Sequence, residues 1–311
     1  MFSIKKNILS LWLLMVLLEP IILFAQNPVY KNPKADIDSR IKDLIAKMTP
    51  EEKFWQLFMI PGDVTAENKA QFKQGIFGLQ VSAAAQGSGN AQQMLSYNTS
   101  EDALSLVRKI NKTQRFFVEE TRLGIPIIPF DEALHGLVRQ GATAFPQSIG
   151  LAASFDTTML ARIGTAIAME ARARGLRDLL APVINIATDV RWGRVEETYG
   201  EDPYLTTVLG HAFMRAIEKE NIVVTPKHFI ANVGDGGRDS YPIEMSKHFL
   251  EEIHFPPFKD AVKNIGIRSL MTSYNSVFGT QATANSWLLT EKLRKEWGFK
   301  GLVVSDLGAI K

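Results

Sequence analysis

The 311-residue chain contains no cysteine, which excludes disulfide frameworks, thiolate metal sites and a cysteine nucleophile. It has almost no net charge. Thirty-five Lys and Arg face 33 Asp and Glu, without the basic face that nucleic acid requires. Histidine is scarce, at five residues, and His211, His248 and His254 fall within predicted helices as surface or packing residues, so no metal site is expected. No G-x-S-x-G elbow, H-E-x-x-H pair or P-loop occurs. Gly234-Asp-Gly-Gly237 does not open a long apolar helix, so it makes a weak dinucleotide loop. No cofactor is implied, and without an internal repeat a solenoid is not expected.

The longest apolar run is N-terminal. Lys5 and Lys6 precede an apolar stretch from Ile8 to Leu18, and Ala25 offers a small residue for cleavage. The run breaks at Glu19-Pro20, short of the ~20 residues of a spanning helix. Residues 1–25 are therefore expected to be a signal peptide rather than an anchor, with export to the periplasm or outside and no stable membrane insertion afterwards. Losing Lys5, Lys6 and Glu19 leaves a net charge of +1.

What remains is ordinary globular composition, 46% apolar and 22% charged. Residues 26–35 are expected as a linker and 36–311 as one domain. Helical spacing covers 36–48, and Thr49-Pro50-Glu51-Glu52 opens a second helix. A strand is predicted at 76–81, a loop at 82–90 and a helix at 101–121. Short apolar runs at 125–130, 179–186, 222–225, 267–273 and 301–305 then alternate with helices at 158–174, 204–220, 247–263 and 286–297. That alternation predicts βαβ units on a parallel sheet, an α/β fold.

Reactive side chains collect where these strands end: Asp131, Glu132 and His135; Asp189, Arg191, Arg194, Glu196 and Glu197; Lys227 and His228; Tyr274 and Asn275; Asp306. In a TIM-like (β/α)8 barrel these loops share one face. Helix capping accounts for Asp306 or Asp156 alone, but not for Lys-His, Arg-Trp-Gly-Arg and Tyr-Asn at equivalent places. Carboxylates, arginines, a Lys-His pair and the aromatics Trp192 and Tyr274 suit a neutral polyhydroxylated ligand. Charged groups grip hydroxyls, and an aromatic face covers a sugar ring. A retaining glycosidase needs an ionised carboxylate nucleophile and a separate acid, and Asp306 ends an apolar strand.

These motifs resemble glycoside hydrolase family 3, the β-glucosidase and β-xylosidase family. The matching stretches are Asp131-Glu-Ala-Leu-His-Gly136, Phe145-Pro-Gln and Asp189-Val-Arg-Trp-Gly-Arg-Val-Glu-Glu-Thr-Tyr-Gly-Glu-Asp-Pro203. Lys227-His-Phe229, Met271-Thr-Ser-Tyr-Asn275 and Gly298-Phe-Lys-Gly-Leu-Val-Val-Ser-Asp306 follow in the family's order. The resemblance implies a retaining, exo-acting β-glycosidase that removes terminal β-D-glucosyl residues from oligosaccharides or β-glycosides. It assigns Asp306 as nucleophile and Arg194, Lys227 and His228 as sugar-binding groups. Tyr274 stands beside the nucleophile, Glu197 supports the Arg and Lys, and Arg238 approaches the pocket.

Glu132, or the adjacent Asp131, stands where many glucosidases bind the distal hydroxyls with Asp. The longer carboxylate crowds a hydroxymethyl group, so glucose and xylose both stay open. One branch of the family draws its acid from an Asp-His pair after Lys-His-Phe. Tyr241 replaces that His, which disfavours an N-acetylhexosaminidase, and no acid/base is assigned in this chain. Six strands are expected, the last with no helix after it, so the barrel is expected to be incomplete, with a C-terminal domain missing. A non-catalytic sugar-binding fragment is the alternative. A phosphate-binding barrel fails for want of a late Gly-rich turn. Arg194, Lys227 and a protonated His228 are each expected to lower the pKa of Asp306.

Overall fold

The structure, a computed structural model, describes residues 28–86, 94–97 and 100–310. The expected signal peptide, the start of the linker and residues 87–90 of the expected loop lie outside these. Among the described residues no helix is long and apolar enough to cross a membrane. The chain divides into two compact units, one through Lys53 and one from Phe54 onward.

In the first unit, helix α1 spans Ile37–Lys47, and its N-cap Asp36 accepts from the Ser39 N–H at 3.0 Å. The end of the expected linker is folded rather than free. Tyr30 N–H donates to Asp43 and the Tyr30 carbonyl accepts from Arg40 Nε, fixing a short turn to α1. Ile37, Ile41 and Ile45 lie at helical spacing, yet all three are exposed. Helix α2, Pro50–Trp55, which runs past the end of this unit, starts with the capping box that the sequence predicts. Thr49 N–H donates to Glu52 Oε2 at 2.9 Å, and Glu52 N–H to Thr49 Oγ1 at 3.2 Å.

In the second unit, the strands are β1 Met59–Pro61, β2 Gly78–Gln80, β3 Ile128–Asp131, β4 Asp178–Leu179, β5 Val223–Val224, β6 Ser269–Thr272 and β7 Leu302–Ser305. The first five pair in parallel in chain order, and β6 pairs in parallel with β7. The chain just after β5 continues the series: Phe229 N–H donates to the Met271 carbonyl at 2.7 Å, and Ser273 N–H to the Phe229 carbonyl at 2.8 Å. Among the described residues seven parallel strands thus replace the expected six. The extra one, β1, is three residues long, too short for a period-2 pattern.

Among the described residues β1 and β7 each pair on one side only. Met59 of β1 and Val304 of β7 both pack on the small cluster of Phe130, Leu180 and Met271.

Two expected elements differ. The run 179–186 is regular only at Asp178–Leu179, after which a single parallel bridge joins Val183 to Lys227; Pro182 has no N–H to extend a ladder. The expected loop 82–90 contains the strand Ala83–Gln86, paired antiparallel with Met94–Tyr97.

The helices between the strands are α3 Ala103–Glu120, α4 Thr157–Ala173, α5 Pro203–Lys219, α6 at 247–265 and α7 Trp287–Glu296. Asp102, Asp156 and Asp202 cap α3, α4 and α5. Pro256 and Pro257 cannot donate within α6, and wide π turns flank them. The core is apolar, with Phe229, Phe258 and Trp297 meeting edge to face.

Asp178 is one of the polar groups buried in the fold. It is buried, accepts one hydrogen bond from Thr225 Oγ1 at 2.8 Å, and burial pushes its carboxyl up from 3.8 to about 7. A carboxyl raised on folding keeps its proton longer in the folded state. Its contribution is therefore complete below about pH 4 and is lost as pH rises to about 7, on the order of 4 kcal/mol. Asp178→Asn keeps the acceptor and removes the titration. Urea midpoints measured across this range should fall in the parent and flatten in the variant; parallel curves would refute the assignment.

Candidate active site

Polar side chains stand at the C-terminal ends of successive strands. Gln80 ends β2, Asp131 ends β3 and leads to Glu132, and Asn185 follows β4. Lys227 and His228 follow β5, Tyr274 follows β6 and Asp306 follows β7.

Lys227, His228 and Asp306 are buried, while Arg194, Glu132, Glu197 and Tyr274 are part-exposed at the rim. Lys227 Nζ donates to Glu132 Oε2 at 2.6 Å. Arg194 forks onto Glu197, with Nε to Oε1 at 2.8 Å and Nη2 to Oε2 at 2.9 Å. The same Nη2 is 3.0 Å from His228 Nε2, and that nitrogen is 3.4 Å from Asp306 Oδ2. Asp306 Oδ1 accepts from the Leu307 N–H at 2.7 Å, whereas buried Oδ2 has no hydrogen-bond partner. Tyr274 hydroxyl donates to the Leu307 carbonyl at 3.0 Å, holding the residue after Asp306.

The electrostatics differ from the sequence expectation. Burial raises the Asp306 carboxyl above its ordinary value, and Lys227 and Arg194 offset only part of that rise. His228 does not help, because burial and the charges of Arg194 and Lys227 hold its pKa well below 6.5 and keep it neutral. Burial also raises the Glu132 carboxyl, against the pull of Lys227. Burial works against the Arg194 charge, but the Glu197 pair dominates and raises its pKa. Tyr274 is raised by burial and by the charge of Asp306.

Three expected members are placed differently. Asp131 is turned away from the pocket into a buried network: Oδ2 accepts from Arg139 Nε at 2.6 Å, and Oδ1 from Gln80 Nε2 and the Glu132 N–H, each at 2.9 Å. Arg139 reaches on to the carbonyls of Val81 and Ser82. Trp192 offers no open face to a sugar, being 2% exposed with its Nε1 donating to Asp239 at 2.8 Å. Arg238 is exposed and lies 4.9 Å over the Tyr241 ring.

Local backbone explains two of the glycine motifs. At Gly136, φ is +123° and a Cβ would meet the Thr143 carbonyl at 2.2 Å, so the loop after β3 folds back tightly. The Phe145 carbonyl then faces His135 Nδ1 at 2.9 Å. At Gly237 a Cβ would lie 2.9 Å from Asp189 Oδ1, which brings the loop after Lys-His-Phe against the loop that carries Arg194.

The residues missed by sequence reasoning are Gln80, Arg139, Asn185 and Asp239. Asn185 left a signal: it is the lone polar side chain in Val183-Ile-Asn-Ile186, and a buried amide needs partners.

A carboxylate with one bare oxygen, ringed by cations at the strand ends of a parallel α/β sheet, defines a site for a polar, electrophilic ligand. The chain belongs to glycosyl hydrolase family 3, whose N-terminal domain matches residues 49–311. A periplasmic β-glucosidase of Salmonella typhimurium is 35% identical over 297 residues, covering 93% of this chain and 35% of the relative. A β-xylosidase of Formosa agariphila is 35% identical over 221 residues, covering 65% and 30%. A solved β-glucosidase from Erythrobacter marinus superposes with a TM-score of 0.77 at 32% identity, covering 89% of this chain and 37% of that one. The chain spans roughly a third of the length of each.

Proposed function

We propose that this chain carries the nucleophile and sugar-binding groups of an exported, retaining, exo-acting β-glycosidase that releases terminal β-D-glucosyl residues. The buried Oδ2 of Asp306, without a donor at the strand ends where the cations gather, carries the reading, since a buried carboxylate oxygen normally has one. Oδ2 attacks the anomeric carbon and the bond to the aglycone oxygen breaks. That oxygen leaves with a proton from an acid, or as a stable anion if it is a nitrophenolate, and water then cleaves the glycosyl ester. Lys227, Arg194 and His228 bind the ring hydroxyls, and Glu197 and Glu132 hold the two cations in place. Tyr274 keeps Leu307, and so Asp306, in register. Seven parallel strands among the described residues, with the candidate groups at their C-terminal ends, support a (β/α) barrel. The leader reading and the periplasmic relative support export.

Incubation with dinitrophenyl 2-deoxy-2-fluoro-β-glucoside, whose leaving group needs no acid, should add one glycosyl mass to the peptide holding Asp306. A label on another residue, or none, refutes the assignment and leaves the sugar-binding fragment.

Glu132 favours a second reading, a β-xylosidase. One methylene longer than Asp, it closes the space that a hydroxymethyl group needs, while its grip on Lys227 is direct. Glu132→Asp should raise the kcat/KM ratio of aryl β-glucoside over aryl β-xyloside roughly tenfold or more, as one methylene of room typically does. An unmoved ratio removes Glu132 from sugar selection.

A further inference from the structure

The orientation of the Asn185 amide is fixed at both ends. Its Nδ2 donates to the His228 carbonyl at 2.8 Å, and its Oδ1 accepts from the His228 backbone N–H at 2.8 Å. A flipped amide would set donor against donor and oxygen against oxygen. The same Oδ1 lies 3.0 Å from His228 Nδ1, so that nitrogen carries a proton. On the other edge of the ring, Arg194 Nη2 can only donate and lies 3.0 Å from Nε2, so Nε2 presents a lone pair. Two separate contacts demand one neutral tautomer. Asp306 Oδ2 faces that lone pair at 3.4 Å, acceptor against acceptor, which is why Oδ2 has no partner.

We infer that Asn185 is a positioning residue of this site: by holding the His228 proton on Nδ1 it denies Asp306 Oδ2 a hydrogen bond and leaves that oxygen free to attack. The inference rests on the reading of Asp306 as nucleophile. A protonated Nε2 would bond Oδ2, drawing charge from the attacking oxygen and lowering its nucleophilicity. The groups facing His228 support the neutral ring. Arg194 and Lys227 are cations, and their carboxylates Glu197 and Glu132 are taken up by those cations. The Tyr274 hydroxyl donates to the Leu307 carbonyl and also helps to lower the Asp306 carboxyl; Asp239 acts on Arg194, and Asp306 is the anion that faces Nε2. Asn185→Asp puts a carboxylate on Nδ1–H, favours the imidazolium and gives Nε2 a proton to donate to Oδ2.

Long-range nitrogen-15 correlation spectra of the whole chain report imidazole tautomers directly, with His228 assigned by substituting the other four histidines in turn. At neutral pH the parent should show a protonated Nδ1 and a bare Nε2. A protonated Nε2 overturns the inference, even if Asp306 takes the fluoroglucoside label. Asn185→Asp should show imidazolium, and its labelling should be at least tenfold slower at neutral pH and recover as pH rises. A merely structural defect slows labelling at every pH, and that outcome, or a rate and pH profile equal to the parent's, also overturns it. A parent chain with the stated tautomer and no label on Asp306 refutes the nucleophile and the catalytic part of the inference together.

Discussion

Asp306→Asn should abolish the fluoroglucoside adduct and lower turnover of an aryl β-glucoside by roughly 10⁴-fold or more, the scale seen when a covalent nucleophile is removed. The fold should survive the change. The amide nitrogen that replaces Oδ2 can donate to His228 Nε2, 3.4 Å away, a bond that the carboxylate cannot make. Burial raises the Asp306 carboxyl, so its charge destabilises the folded chain as pH rises, and the uncharged variant should melt no lower than the parent at neutral pH. For the same reason the acid limb of labelling in the parent should lie above that of an exposed aspartate. Intact-mass and peptide spectra after labelling, with a thermal melt on the same sample, decide the matter. A persisting adduct at normal stability removes Asp306 from the chemistry.

The largest stability effect is expected at Arg139. Its side chain is 2% exposed and Asp131 is fully buried, 2.6 Å away. Arg139→Leu leaves a buried carboxylate without its cation, at a cost of about 3–5 kcal/mol, a large share of the ~5–15 kcal/mol that holds a domain together. Burial already raises the Asp131 carboxyl; without Arg139 it rises further, so protonation relieves the variant in mild acid. The urea midpoint should therefore drop more at neutral pH than near pH 5. Adding Asp131→Asn should restore much of the loss, because an amide needs no counter-charge. Equal midpoints for Arg139→Leu and the parent would show the pair to be inert.

The pair also shows where sequence reading stops. Capping residues and strand-end motifs are local, so Thr49 with Glu52, Asp156, Lys227-His228 and Asp306 were legible from spacing alone. Asp131 and Glu132 were not separable that way. Successive strand residues point to opposite faces, and only the partner eight residues on, Arg139, shows that Asp131 points away from the pocket. Trp192 misled for the same reason, since its indole N–H is met by Asp239, 47 residues later. The electrostatics of Asp306 failed on a different point. Neighbouring cations can be listed from motifs, but desolvation depends on burial, and here desolvation wins. β1 was missed because three residues carry no periodicity.

Met59 and Val304 share one cluster although 245 residues separate them in the chain. Contacts between such distant segments are entropically late, since the long stretch between them must already be arranged before they form. Local βα pairs can assemble as they are synthesised, but the cluster that Met59 joins lacks Val304 until β7 arrives. In a cell that interval is an exposure time, during which an apolar strand edge is open to chaperones or to a second nascent chain. The residues that meet on this cluster therefore set how long the newly made chain is at risk before that part of its core is covered.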